Sequence, residues 1–249
     1  MYRRLIGTVV LLLLAVGCGS PTQRAVNQLI EQVALDDPMA SVTYNENREA
    51  LESAEAMPLW IAALQTSASP QVQTWAARLL GRIGSPEAVP ALIDALQNGE
   101  RDVQAAAASA LLLIGEDEAE EAFIASLSEG NRDAKIHCLI ELEKMGSEKA
   151  IAAIAETARL PEDALLASSA ITALAGIGSP LAATPLADLA IDWTVAADIR
   201  EAAIIGLGRL AGTGPEVAEN LQRIVTEIEG QEGIEELQAL AQQTLDASQ

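Results

Sequence analysis

Between Val72 and Leu245 the chain repeats one arrangement of apolar positions: an aliphatic residue, a small residue and a leucine, each four apart. The copies are Val72, Ala76, Leu80; Val103, Ala107, Leu111; Ala134, Cys138, Leu142; Leu166, Ala170, Leu174; Ile199, Ala203, Leu207; and, more weakly, Leu237, Ala241, Leu245. Spacing of four places each triplet on one stripe of a helix. Ahead of these run shorter apolar clusters at i, i+1 and i+4, namely Trp60-Ile61-Leu64, Leu92-Ile93-Leu96 and Phe123-Ile124-Leu127, which predict a second helix in each unit. Glycines at 84, 115, 146 and 178, separated by 31, 31 and 32 residues, each follow the leucine of a triplet and close its helix. Ser69-Pro70, Ser85-Pro86, Ser147-Glu148 and Ser179-Pro180 set a capping hydroxyl before a first-turn residue. Pro58 and Pro90, 32 apart, fall within the first helices, where a bend is expected. Helices this short are not stable alone, so the units must stack and share one core.

The run from Pro70 through Leu80-Gly81-Arg82-Ile83-Gly84-Ser85-Pro86 to Leu92 resembles the short HEAT-like repeat first described in phycobilisome lyases, and Asp198-Ile199-Arg200-Glu201-Ala202-Ala203 is another good copy. The resemblance covers about residues 53 to 249. It implies an all-α fold, a right-handed α-solenoid of about six two-helix HEAT-like repeats. It says little of function, because such repeats occur in enzymes, scaffolds and regulators alike. The arginine that usually follows the aliphatic position stands only at Arg200, being Gln73, Gln104, Lys135 and Ala167 elsewhere, so no continuous Asp–Arg ladder is expected. Tetratricopeptide positions are missing, and Thr184-Pro185-Leu186 matches an ankyrin signature only once.

Before the array, Ala25, Val26, Leu29, Ile30 and Val33 predict a capping helix over 24–35, stopped by Asp36-Asp37-Pro38 and followed by a linker from Met39 to Asn45; a mobile stalk helix is the alternative. Earlier still, Arg3-Arg4 and the apolar run Leu5 to Val16 have the form of a secretory signal, too short for the roughly 20 residues of a spanning helix. The run ends Ala15-Val16-Gly17-Cys18, which resembles the lipobox of bacterial lipoproteins, with alanine where leucine is usual. That resemblance implies a signal peptide over 1–17, cleavage before Cys18, a diacylglyceryl thioether on its sulfur and an acyl group on its new amino terminus. Residues 18–23 then form a lipidated tether. More than one chain anchors stably where one would not. An ordinary cleaved signal with a chance cysteine is the other reading. Gly19, where inner-membrane retention would call for Asp, leans the expected address towards the periplasmic face of an outer membrane.

Composition narrows the function classes. Half of the 249 residues are hydrophobic but only 2% are aromatic, so the core is built from small aliphatic side chains. Acidic residues number 36 against 15 basic, a formal charge of -21, which repels a phosphate backbone and excludes nucleic acid as a partner. Anionic lipid is repelled too, so membrane contact is expected through the lipid anchor only. With Cys18 acylated, Cys138 has no disulfide partner.

Candidate chemistry is sparse. His137 beside Cys138 pairs residue types used as nucleophile partners and metal ligands, but Cys138 holds the small-residue seat of its triplet and should point into the core. Glu116, Asp117, Glu118, Glu120 and Glu121 have the chemistry for a hard cation without the glycine-bearing spacing of a calcium loop, and suit a solvated helix start. Trp193 in the turn from Asp192 to Asp198 is either a packing staple or an exposed ligand contact. Five glutamates between Thr226 and Glu236 suit a polar terminal cap looping around Gly230 and Gly233. No catalytic residue, metal ligand set or cofactor motif is recognised, and the chain is expected not to be an enzyme.

One surface stands out. Positions two and six after each aliphatic residue point away from the buried stripe: Thr74 and Arg78, Ala105 and Ser109, Ile136 and Ile140, Ser168 and Thr172, Glu201 and Ile205. This strip carries one acid and three isoleucines that the repeat core does not need; sideways packing against neighbouring helices is the competing explanation. The expectation is a lipid-anchored envelope scaffold that binds another protein or peptide through the solenoid's curved, concave surface, with Arg78, Ile136, Ile140, Thr172, Glu201 and Ile205 as its contacts. A bilin-lyase-like enzyme, implied by the repeat resemblance, and a carrier of an apolar ligand are the alternatives.

Overall fold

A computed structural model describes residues 19–160, 163–229 and 235–248. The signal segment and Cys18 lie outside these residues. The described residues form fifteen α-helices and three short 3-10 turns.

Helix α1 (Pro21–Ala34) begins three residues earlier than its apolar pattern suggests, because Ser20 accepts a hydrogen bond from the Gln23 amide and Pro21 occupies the first turn. Residues 21–23 of the expected tether are therefore helical. The chain leaves α1 through Asp36, whose φ of 53° is left-handed. The segment expected as a linker is then mostly helix, α2 (Ala40–Glu46), followed by the single turn α3 (Arg48–Leu51). Tyr44 of α2 stacks edge-on against Trp75 with ring centres 5.7 Å apart, which shows why this stretch folds: its aromatic residue has a partner in the first repeat.

Six helix pairs follow. The first helices are α4 (Met57–Thr66), α6 (Val89–Asn98), α8 (Glu116–Glu129), α10 (Ile151–Ala158), α12 (Ala183–Ile191) and α14 (Pro215–Ile228). The second helices are α5 (Pro70–Ile83), α7 (Arg101–Ile114), α9 (Arg132–Met145), α11 (Ala164–Gly176), α13 (Ala197–Arg209) and α15 (Glu235–Ser248). The fold is an all-α solenoid of HEAT-like repeats. It divides into two compact units between Glu118 and Ala119.

Every residue of the six triplets is buried, none more than 6% exposed. In the first helices Trp60, Leu64, Leu92, Leu96, Phe123 and Leu127 are buried, while Ile61, Ile93 and Ile124 are half-buried. Trp60 also donates its indole N–H to the Leu51 carbonyl at 2.9 Å, so one side chain fills the core and satisfies the end of α3.

The prolines do not bend the first helices. Pro58 and Pro90 sit in the opening turns of α4 and α6, where a missing amide costs nothing. Ser69, Ser85, Ser147 and Ser179 all cap as expected, and Asn131 and Asp163 cap α9 and α11. Gly84, Gly146 and Gly178 adopt left-handed φ of 70°, 64° and 72°. Gly115 does not: its φ of 179° is extended, and α8 starts at the next residue.

In each unit one pair of second helices approaches closely through a glycine just after the triplet leucine. A Cβ built on Gly81 of α5 would stand 2.7 Å from the Cα of Ala110 on α7. The same register position on α13 is Gly208, where a Cβ would stand 2.9 Å from Cγ2 of Thr244 on α15. Polar links join repeats as well. Ser147 donates to Glu120 at 2.6 Å and Lys149 to the same carboxylate at 2.5 Å, Ser179 donates to Glu148 at 2.7 Å, and Arg132 bridges to Asp163. Glu120 is thus not part of a solvated helix start as expected: it is 9% exposed, while Glu116, Asp117, Glu118 and Glu121 remain exposed.

Candidate partner-binding face

The outward face of each second helix follows from its buried stripe. In the unit ending at Glu118, Arg78, Ala105 and Ser109 are exposed, but Thr74 is buried at 9%. Helix α1 packs against α5, and Trp75 is engaged by Tyr44, so the N-terminal cap claims part of a face that the sequence pattern assigned to solvent.

In the unit from Ala119, Ile140 is 42% and Ile205 48% exposed, and Ser168, Thr172 and Glu201 are exposed beside them; Ile136 is half-buried. Sideways packing of the isoleucines therefore accounts for Ile136 in part and not for the other two. Leu165, 56% exposed, belongs to the same face, since it stands three and seven residues before Ser168 and Thr172. Counting only positions two and six of the repeat missed it. Position minus one of the triplet lies on the same side of the helix and would have found it.

The face has little charge of its own at mid-helix. Carboxylates gather at the helix starts, with Asp133, Asp198 and Glu236 all exposed, and cations at the ends, with Lys144 and Arg209 exposed. Each sign suits the helix dipole at its end.

The residues weighed for catalysis or metal binding are not brought together. His137 is half-buried, Cys138 is fully buried, and burial pushes its thiol pKa up to about 12, which suppresses the nucleophilic thiolate. Among the described residues no group of three or more His, Cys, Asp and Glu could hold a metal ion. Trp193 is 44% exposed and carries the Arg200 guanidinium over its ring at 4.1 Å. It is neither a buried staple nor a bare ligand platform, and the arginine usual in the repeat serves as its stacking partner. Among the described residues no helix is long and apolar enough to cross a membrane. Residues 230–234 of the expected acidic terminal loop lie outside the described residues; α14 runs on through Thr226 to Ile228, and Glu235 and Glu236 open α15.

Residues 57–130 match the family model for HEAT repeats. No curated protein matches the chain. Similar solved structures include human deoxyhypusine hydroxylase in complex with glycerol, 20% identical over 92% of this chain and 85% of that one, with a TM-score of 0.44. The complex of CpcE and CpcF of phycocyanin lyase from Nostoc is 20% identical over 94% of this chain and 96% of that one, at a TM-score of 0.42. An engineered protein is 20% identical over 77% and 96%, at 0.41. This level of likeness concerns helical-repeat architecture alone. It also corrects one expectation, that the chain is not an enzyme: two of these similar folds are enzymes, so the lack of a recognised motif on such an array gives no ground for excluding catalysis.

Proposed function

We propose that the chain is a lipid-anchored protein of the bacterial cell envelope that receives a peptide or helix of another protein on the outward face of its second helices. The observation that carries this reading is the exposure of Ile140 and Ile205 on helices whose buried stripes are already complete. Large aliphatic side chains left to solvent on one face of stacked helices mark an interaction surface more often than isolated ones do. The lipid anchor and the address rest on the sequence from Arg3 to Cys18.

Replacing Ile140 and Ile205 together by Asp tests the face. Loss of partner capture from detergent-solubilised envelopes with Tm unchanged is the expected result; a fall in Tm of many degrees would place these side chains in the core and end the proposal. Cys18→Ser tests the anchor. Maturation and membrane association should fail while the repeats stay folded, and a wild-type protein that is unacylated and insensitive to globomycin would refute the lipoprotein reading.

A further inference from the structure

In the unit from Ala119, α13 and α15 lie side by side and leave a surface groove of about 270 Å³ between them. Ile205, Gly208 and Ala211 line one side, and Leu240, Thr244 and Ala247 the other. Sites that enclose a small molecule run to about 300–1,000 Å³. This groove is smaller, and Ile205, Ala211 and Ala247 on its walls are exposed to solvent, so it suits inserted side chains and not an enclosed apolar ligand. The close approach of Gly208 to Thr244 sets how near the two helices stand and leaves bare backbone in the lining.

The charges around the groove say what kind of chain would enter it. Glu201, Ile205 and Arg209 share one stripe of α13, and Glu236 and Leu240 share one of α15. Glu201 and Glu236 therefore stand one turn ahead of the apolar residues, with Asp198 and Glu235 exposed nearby in sequence, and α15 carries no basic residue. First-turn acids also suit the helix dipoles, but the dipoles do not place an apolar groove beside them. With a formal charge of -21, the molecule repels an acidic partner, a second copy of itself included, and attracts a basic one.

We infer that the groove between α13 and α15 seats the apolar side chains of a basic amphipathic helix from another polypeptide, whose lysines or arginines flank them toward Glu201 and Glu236. This rests on the outward face being a binding face. In such helix-in-groove docking the apolar row supplies most of the binding energy and the charges set orientation and approach.

The test uses a fluorescein-labelled helical peptide of about 16 residues, with one row of leucines and lysines elsewhere, titrated by anisotropy. Two control peptides carry serines in place of the leucines or glutamates in place of the lysines. Ala247→Phe fills the groove from an exposed position. The leucine–lysine peptide should bind at least about tenfold tighter than either control, and Ala247→Phe should weaken it by about tenfold or more, the size of an anchor loss. Glu201→Gln with Glu236→Gln should weaken it severalfold and flatten its dependence on salt. Equal binding of the leucine and serine peptides would reduce the effect to bulk charge and overturn the inference. Ile140→Ser, on α9 and outside the groove, separates this from the broader reading. Binding lost in Ile140→Ser but kept in Ala247→Phe would retain the face and remove the groove. Binding lost in Ala247→Phe alone would support the groove as the seat, and binding indifferent to both would overturn groove and face together.

Discussion

Two residues with reactive side chains serve the fold instead of chemistry. Cys138 fills a seat occupied by alanine in the other five triplets, buried with its thiol pKa raised to about 12 by desolvation. Cys138→Ala should cost less than about 1.5 kcal/mol, in the range of mild core truncations. The wild-type thiol should stay unmodified by a maleimide at pH 8 until denaturant unfolds the chain; labelling of the native protein would show that the seat is open. Glu120 behaves differently. Hydrogen bonds from Lys149 first and Ser147 second hold its carboxyl pKa below the usual value, outweighing the cost of burial. A depressed carboxylate contributes stability that is fully present above its unfolded pKa and disappears as pH falls through the folded value. Because Lys149 is 68% exposed, the pair is partly screened. Glu120→Gln should therefore cost about 1 kcal/mol at neutral pH, and the difference from wild type should shrink in urea unfolding as pH falls below the ordinary carboxylate range and through the lowered folded value. A gap that persists in acid would mean that shape, not charge, matters at this position.

At the scale of the helix, glycines that look alike in the sequence have different tasks. Gly84 ends α5 at a left-handed φ of 70° with nothing within 4 Å of a built Cβ. Gly84→Ala therefore meets no clash and pays only backbone strain, about 1–2 kcal/mol. Gly115 has an extended backbone, which any residue adopts, and its nearest neighbour is the mobile end of the Glu118 side chain. Gly115→Ala should cost distinctly less than Gly84→Ala in denaturant unfolding, although both glycines end the same repeat motif. Equal costs would contradict the assigned conformations. Gly81 follows a third logic, because its lack of a side chain is what lets α7 approach α5.

For the molecule as a whole the dominant long-range term is self-repulsion. A formal charge of -21 is only partly offset by ion pairs such as Arg132–Asp163 and Arg223–Asp188, which lie at the surface and contribute little each. Moderate salt screens the repulsion, since the Debye length falls to about 10 Å at 0.1 M. Adding sodium chloride should raise Tm, by about 2–4 °C for each kcal/mol of repulsion relieved. A Tm that falls with salt would show that the ion pairs outweigh the net charge.

The second helices, the serine caps at 69, 85, 147 and 179, the repeat length and all eighteen triplet residues were legible in the sequence, because each follows from a local capping motif, a recurring glycine or a period of four along one helix. What lies beside a helix is not written in its own period. The neighbour of any second helix comes from a unit about thirty residues away in sequence, and only packing shows where it touches. That is why Thr74 turned out buried and Leu165 exposed, why residues 40–46 fold as a helix once Tyr44 finds Trp75, and why Glu120 leaves solvent for Ser147 and Lys149. The groove between α13 and α15 belongs to the same class: Ile205 was visible as an outward residue, but its partners Leu240, Thr244 and Ala247 lie on another helix and meet it only when the two stand side by side.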